Sequence, residues 1–221
     1  MKELSIEAIM MAVETMAEVA IKNEKYFSEL DSAAGDADFG VSLATGFRAV
    51  KDKWDELDRS SIGAFLMKVG MIITSNVGGC SGPIWGTGFL RAGMNSKDKN
   101  SITLADMVVM LRASIDGIMA RGGASLGDKT LIDAIAPATD KLEQCSENSP
   151  DNILDAFKEA TDVATEQIEA TRGWIAKRGR QSFTGERSIG TLDPGIVAVA
   201  TMMQEVTKQL MGKYEINNRG M

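Results

Sequence analysis

An all-α fold in a single domain of about eight helices is the architecture this sequence predicts, and three observations carry it. Hydrophobic residues make up 44% of the chain and aromatics only 5%, a Met- and Ala-leaning mixture that suits helices better than sheets. Apolar residues return at i, i+3, i+4 and i+7 in segment after segment, the period of one buried helix face. Finally, no run reads as a strand, and no internal repeat, low-complexity linker or break in composition divides the 221 residues, a length one core can serve.

The first helix is expected over about residues 5–29, where Ile6, Ile9, Met10, Val13, Met16, Ala17 and Ala20 form one apolar stripe. A second is expected over about 40–57, ending in the charged run from Lys51 to Asp58, and a third over 61–76, with Ser60 or Ser61 as its cap. Residues 69–90 form the longest uncharged run. Six glycines, Pro83 and Asn76 would leave its backbone unsatisfied in a bilayer, so it reads as a buried helix entering a glycine-rich loop, with the next helix over 83–94. Thr103 opens a helix over 103–121, Asp128 one over 128–145, Ser149 with Pro150 one over 150–177, and the last spans 193–212. Short connections make consecutive helices antiparallel neighbours.

Composition also removes whole classes of chemistry. The chain has no histidine, which excludes an imidazole ligand, an imidazole base and a phosphohistidine carrier on this polypeptide. A net charge of −7 repels phosphate backbones and anionic lipid, so neither nucleic acid nor a membrane is an expected partner. Cys80 and Cys145 stand far apart without a zinc-type spacing, and Glu7, Glu14 and Glu18 interrupt any signal-like apolar block; a cytoplasmic protein is expected.

Glycine gathers in four inter-helix segments, more than chain reversal requires. The first, "LDSAAGDADFG", holds Asp31, Asp36 and Asp38. A turn between Gly35 and Gly40 could converge all three carboxylates on a hard cation such as Mg²⁺ or Ca²⁺; equally, Asp36 or Asp38 could cap the next helix in a solvated loop. The spacing does not fit an EF-hand. The second, "SNVGGCSGPIWGTG", sets Gly78, Gly79, Cys80 and Ser81 before a helix N-terminus, a form suited either to cradling phosphate or to simple chain reversal. It is neither a Walker A loop nor a dinucleotide fingerprint. The third, "RGGASLGDKTLIDA", has Asp128 in a capping position. The fourth, "KRGRQSFTGERSIGTLDPG", places Arg178, Arg180 and Arg187 in an otherwise acidic chain, either to cover an anionic ligand or as a solvated charged run. The methionines sit at helical core spacing and read as packing.

Four ordered strings, "GDADFG" with Asp31 five residues before Asp36, "GGCSGPIWGTGF", "GDKTLIDAIAPA" and "GRQSFTGERSIGTLDPG", resemble the family of ADP-binding L subunits of dihydroxyacetone kinases, the DhaL or DAK2 domain family. The resemblance covers about residues 25–200. It implies a barrel of eight antiparallel helices with a nucleotide site in the loops at one end, holding ADP or ATP through two Mg²⁺ ions. By match, Asp31, Asp36 and Asp38 would ligate the metals; Phe39, Gly40 and Ser42 would lie along the nucleotide; Gly79, Cys80 and Ser81 would meet its phosphates; Gly122 and Leu131 would border the base; and Arg180, Asp193, Pro194 and Gly195 would close over it. The family usually carries His where Phe39 stands, Asn at Ser42 and Ser at Cys80, departures that leave the carboxylate trio intact and point either to a different triose or tetrose or to a partner subunit with an altered docking surface. The implied activity is phosphoryl transfer to a short-chain ketose, dihydroxyacetone first, held by a separate K subunit. An M subunit would rephosphorylate bound ADP, an arrangement that a free-standing chain of this size favours over ATP exchange, and a homodimer is a further arrangement. No catalytic residue is assigned to this chain. Another triose or tetrose kinase and a nucleotide-sensing regulatory protein are the alternative readings.

Overall fold

The structure, a computed structural model, describes residues 1–219. Nine α-helices are present among them: α1 (Ile6–Lys22), α2 (Glu24–Ser32), α3 (Phe39–Asp52), α4 (Ile62–Asn76), α5 (Ser81–Ser96), α6 (Leu104–Gly122), α7 (Ile132–Asn148), α8 (Ile153–Ala170) and α9 (Pro194–Arg219). Two 3₁₀ stretches cover Trp54–Glu56 and Arg180–Ser188. The expected first helix is two, because the backbone N–H and the side-chain amide of Asn23 both donate to the Val19 carbonyl and end α1 there.

Helix α1 packs on α3, and α3, α4, α5, α6, α7, α8 and α9 follow one another until α9 returns to α1, closing a ring of eight, while α2 lies outside it against α3. The all-α barrel is therefore as expected, with one helix more than the expected eight. Ring helices meet over small and apolar faces: Ala17 and Ala20 of α1, Phe47 of α3, Phe65 of α4, Ala160 and Ala164 of α8 and Ile196 of α9 are all fully buried. Burying each of the large side chains stabilises the fold by roughly 1.5–3 kcal/mol. Helices α4 and α5 approach closely backbone to backbone, where a Cβ on Gly70 would stand 2.7 Å from the Gly86 carbonyl oxygen. This contact accounts for glycines within helices as well as in loops. The ring encloses an apolar cavity of ≈ 260 Å³ bordered by Met16, Phe89, Met107 and Met202. No helix among the described residues is long and apolar enough to cross a membrane.

Helix starts split between local and non-local caps. Ser61 accepts from the Ala64 N–H (3.1 Å) and Thr103 accepts from Asp106 N–H, both caps as the sequence predicts, and the Asp106 carboxylate in turn accepts from Thr103 N–H, which completes a capping box. The expected starts at Asp128 and at Ser149–Pro150 are wrong: α7 begins at Ile132 and α8 at Ile153. Helix α8 also stops at Ala170, seven residues before its expected end, and the chain from Thr171 to Asp193 runs as a long irregular excursion with one 3₁₀ stretch. Two strands too short to show a period, β1 (Glu3–Ser5) and β2 (Ser101–Thr103), pair antiparallel with Leu4 opposite Ile102, both buried. They also correct the expectation of a strand-free chain. In an up-and-down ring every second connection falls at the same end, which brings together the segments before α3, between α4 and α5, between α6 and α7, and between α8 and α9.

Candidate functional site

Those four segments surround one cleft of ≈ 670 Å³. Its acidic wall begins at the end of α2, where Asp31 is buried and its Oδ2 accepts from the N–H groups of Asp38 (3.1 Å) and Phe39 (3.3 Å). Asp31 thereby caps α3 from seven residues away, while Asp38, in the cap position, makes no side-chain cap bond. Two backbone features wrap the loop around that carboxylate. A Cβ on Gly35 would fall 2.8 Å from the Asp31 carboxyl carbon, and Ala37 takes a left-handed φ of 63°. The result brings one oxygen each of Asp31, Asp36 and Asp38 within 4.8 Å of one another. Arg180, arriving from the far excursion, pairs with Asp36 and lies 3.5 Å from Asp38 Oδ2. One guanidinium charge against three carboxylates leaves net negative charge on an all-oxygen donor set, which fits a hard divalent cation.

The opposite wall is the N-terminus of α5. Gly78 and Gly79 have open space where a side chain would be, Gly79 has a φ of 65°, and Cys80 is exposed. The N–H groups of Ser81 and Gly82 at the start of α5 and the positive end of its dipole could meet an anion here, with open space beside Gly78 and Gly79. Phe39, Ser42, Gly79, Cys80, Ser81, Gly122, Leu131, Arg180, Asp193, Pro194 and Gly195 all border the cleft with the three aspartates. Gly40 does not. It is buried in the first turn of α3, where a Cβ would collide with the Glu24 carbonyl and sit 2.7 Å from the Ser28 N–H nitrogen, so its lack of a side chain serves the seating of α3 on α2.

The third wall replaces a simple helix cap with a pair of carboxylate-centred turns. Asp133 accepts from the Gly127 (2.7 Å) and Thr130 (2.8 Å) N–H groups, and Asp128 accepts from Ser125 N–H (2.8 Å) and Arg178 Nε (3.1 Å). Burial opposes ionisation of Asp128, but the Ser125 N–H and the Arg178 and Lys177 cations together hold its carboxyl below the ordinary range. At the closed end, Asp193 Oδ1 caps α9 by accepting from Ile196 N–H (2.8 Å), and burial pushes its carboxyl up to about 7, against the opposing pull of that amide and of Lys129.

Arg178, singled out in the basic loop, borders the cleft as Arg180 does, while sequence reasoning missed Lys129, Thr130, Gln181 and Phe183, which also border it. The hydroxyl of Thr130 and the side-chain carbonyl of Gln181 are buried without a hydrogen-bond partner. Orphaned polar atoms on a cleft wall fit a polar ligand that would satisfy them. Phe183 is 87% exposed at the mouth. The only signal for these residues was their place inside glycine-rich strings already singled out.

The chain is similar to known proteins over most of its length. The DAK2 domain family matches residues 33–208. The chain is 39% identical to the "PEP-dependent dihydroxyacetone kinase, ADP-binding subunit DhaL" of Escherichia coli (strain K12), over 81% of this chain and 85% of that one. It is 34% identical to the "L-erythrulose 1-kinase" of Mycolicibacterium smegmatis over 91% of this chain but only 35% of that longer protein. In three dimensions it resembles the dihydroxyacetone kinase of C. freundii in complex with AMP-PNP and Mg²⁺, with a TM-score of 0.67, 24% identity and coverage of 90% of this chain and 33% of that one. The chain thus spans about a third of the length of these one-chain kinases, whereas it matches DhaL subunits nearly end to end. With the family matched across most of its length and the fold shared, the chain belongs to the DAK2 domain family.

Proposed function

We propose that this chain is the Mg²⁺-dependent, ADP-binding subunit of a dihydroxyacetone kinase-type phosphotransferase. The observation that carries the proposal is the convergence of Asp31, Asp36 and Asp38 on one wall of a cleft whose other wall is the unobstructed N-terminus of α5. Asp31, Asp36 and Asp38 would hold two Mg²⁺ ions, which supply charge neutralisation for a diphosphate and for the phosphoryl group in transit. The chain's own residues do the rest. The α5 amides and Ser81 orient the phosphates, Leu131 and Gly122 border the base, and Arg178 and Arg180 close the cleft and offer donors to anionic oxygen. Nothing in this histidine-free chain offers an imidazole to take the proton of an attacking sugar hydroxyl, so that role falls to a K-type subunit holding the ketose. An M-type subunit would return phosphate to ADP, as the phosphoenolpyruvate dependence named for the E. coli relative suggests.

The sugar has a second reading, a tetrose such as erythrulose, favoured by the erythrulose kinases among the relatives and by the apolar Phe39 on the cleft wall. Both are tested by reconstituting the chain with K- and M-type subunits, phosphoenolpyruvate and the phosphotransferase proteins, and following phosphate onto dihydroxyacetone or erythrulose. Product on either ketose that depends on Mg²⁺ and on bound ADP supports the kinase. Retention of Mg-ADP with no product from any K subunit would replace it with a nucleotide-sensing role.

A further inference from the structure

Lys129 is the largest charged side chain in the interior, 1% exposed, and among the described residues the carboxylate that acts on it is Asp193, without a direct salt bridge. Its ammonium has three protons, and three backbone carbonyls receive them: Ser188 (2.8 Å), Trp174 (3.1 Å) and Arg172 (3.3 Å). All three belong to the excursion between α8 and α9. An interior ammonium is costly unless its donors are met, and here they are met entirely by main chain; the Arg172 and Ser188 carbonyls also accept from Gly190 N–H and from Thr191. Lys129 also sits at a left-handed φ of 62°, a conformation unfavourable to a side-chain-bearing residue and one that persists where surrounding contacts over-determine it.

The excursion is drawn together at the same place. Gly190 N–H donates to Arg172 O (2.9 Å), Arg172 Nε donates back to Gly190 O (2.9 Å), and Ala176 N–H donates to Ser188 Oγ (2.9 Å). Beyond this base, Arg178, Gly179, Arg180 and Gln181 reach the cleft. Lys129 itself lies two residues before Leu131, on the opposite wall.

We propose that Lys129 is a positioning residue, an internal cation that pins the α8–α9 excursion as a lid on the cleft and so sets how long a nucleotide stays. The proposal rests on the nucleotide-binding reading for its second half only; the pin is a property of the protein alone. Lys129 touches neither metal nor phosphate in this scheme and acts through Arg180, which a bridge to Asp36 and Asp38 already holds across the cleft.

The test uses the full chain with Lys129→Met, and Lys129→Gly as a second variant that relaxes the left-handed backbone should the first misfold. Without nucleotide, hydrogen exchange of peptides covering 171–190 should quicken at least tenfold in either variant while α1, α4 and α9 exchange as in the parent. Methylammonium, which can enter the vacated carbonyl cage of Lys129→Gly, should slow it again. Equal exchange in parent and variants overturns the pin. With Mg²⁺ and a fluorescent ADP analogue, release from Lys129→Met should quicken about tenfold. Adding Arg180→Ala to it should quicken release little further, because both changes disable the same lid. Rates that multiply in the double variant overturn action through Arg180, since general loosening would combine independently with loss of the guanidinium. A parent chain that fails to hold the analogue would instead overturn the nucleotide reading, with the exchange experiment still deciding the pin.

Discussion

Replacing Asp31 by Ala separates the two tasks this carboxylate performs. In the protein alone it caps α3 through Asp38 and Phe39 N–H, and losing such a cap costs about 1–2 kcal/mol. The same change removes repulsion from Asp36 and Asp38, whose nearest oxygens lie within 4.8 Å; in water's dielectric that is about 1 kcal/mol per pair, part of it already offset by Arg180. The two effects nearly cancel, so without ligand the variant should unfold within about 1 kcal/mol of the parent, roughly 2–4 °C for a chain of this size. Magnesium and ADP break the cancellation. At a ligand concentration about a hundred times Kd the parent gains about 2.7 kcal/mol, a rise of about 5–10 °C, while Asp31→Ala, with no metal-binding oxygen at the centre of the trio, should gain almost nothing. Thermal unfolding followed by circular dichroism, with and without Mg-ADP, measures both. Asp36→Asn, which removes no cap, should lose the ligand-induced rise equally. An undiminished rise in Asp31→Ala would refute the metal role of the trio, and a large loss of stability without ligand would show that capping outweighs repulsion.

Three further outcomes are expected. Arg180→Ala should speed release of bound ADP about tenfold, read by displacement of a fluorescent analogue; an unchanged rate would remove Arg180 from the lid. Cys80→Ser should leave Mg-ADP retention within about twofold, because the α5 N-terminus offers backbone amides and Cys80 makes no side-chain cap bond; loss of binding would give the thiol itself a role. Burial pushes the Asp193 carboxyl from the ordinary 3.8 up to about 7, so the folded state should hold a proton that the unfolded chain releases above pH 3.8. Stability should therefore fall between about pH 4 and 7, by at most about 4 kcal/mol. Asp193→Asn, which keeps an acceptor for Ile196 N–H, should flatten that slope in urea unfolding; parallel curves for parent and variant would refute the burial argument.

Much of this molecule is legible in its sequence. The period of Ile6, Ile9, Val13, Ala17 and Ala20 placed a helix, Ser61 and Thr103 marked starts, and the strings around Asp36, Cys80 and Asp193 marked the loops that meet at the cleft. These features share a cause: period, caps and turns depend on residues within about four positions of one another, an interaction range that can be read along the chain. The misreadings share the opposite one. Asp128 resembled a cap but faces Arg178, fifty residues on; Gly40 resembled a ligand contact but makes room for Glu24 and Ser28; and α8 stops at Ala170, where the turn at Thr171–Trp174 delivers its carbonyls to Lys129. Sequence alone thus determined an all-helical chain and the segments that carry its chemistry. Tertiary structure decided which carboxylate caps, which glycine packs and which lysine is buried, because each of those roles is set by an atom that arrives from a distant part of the chain only when the ring of helices closes.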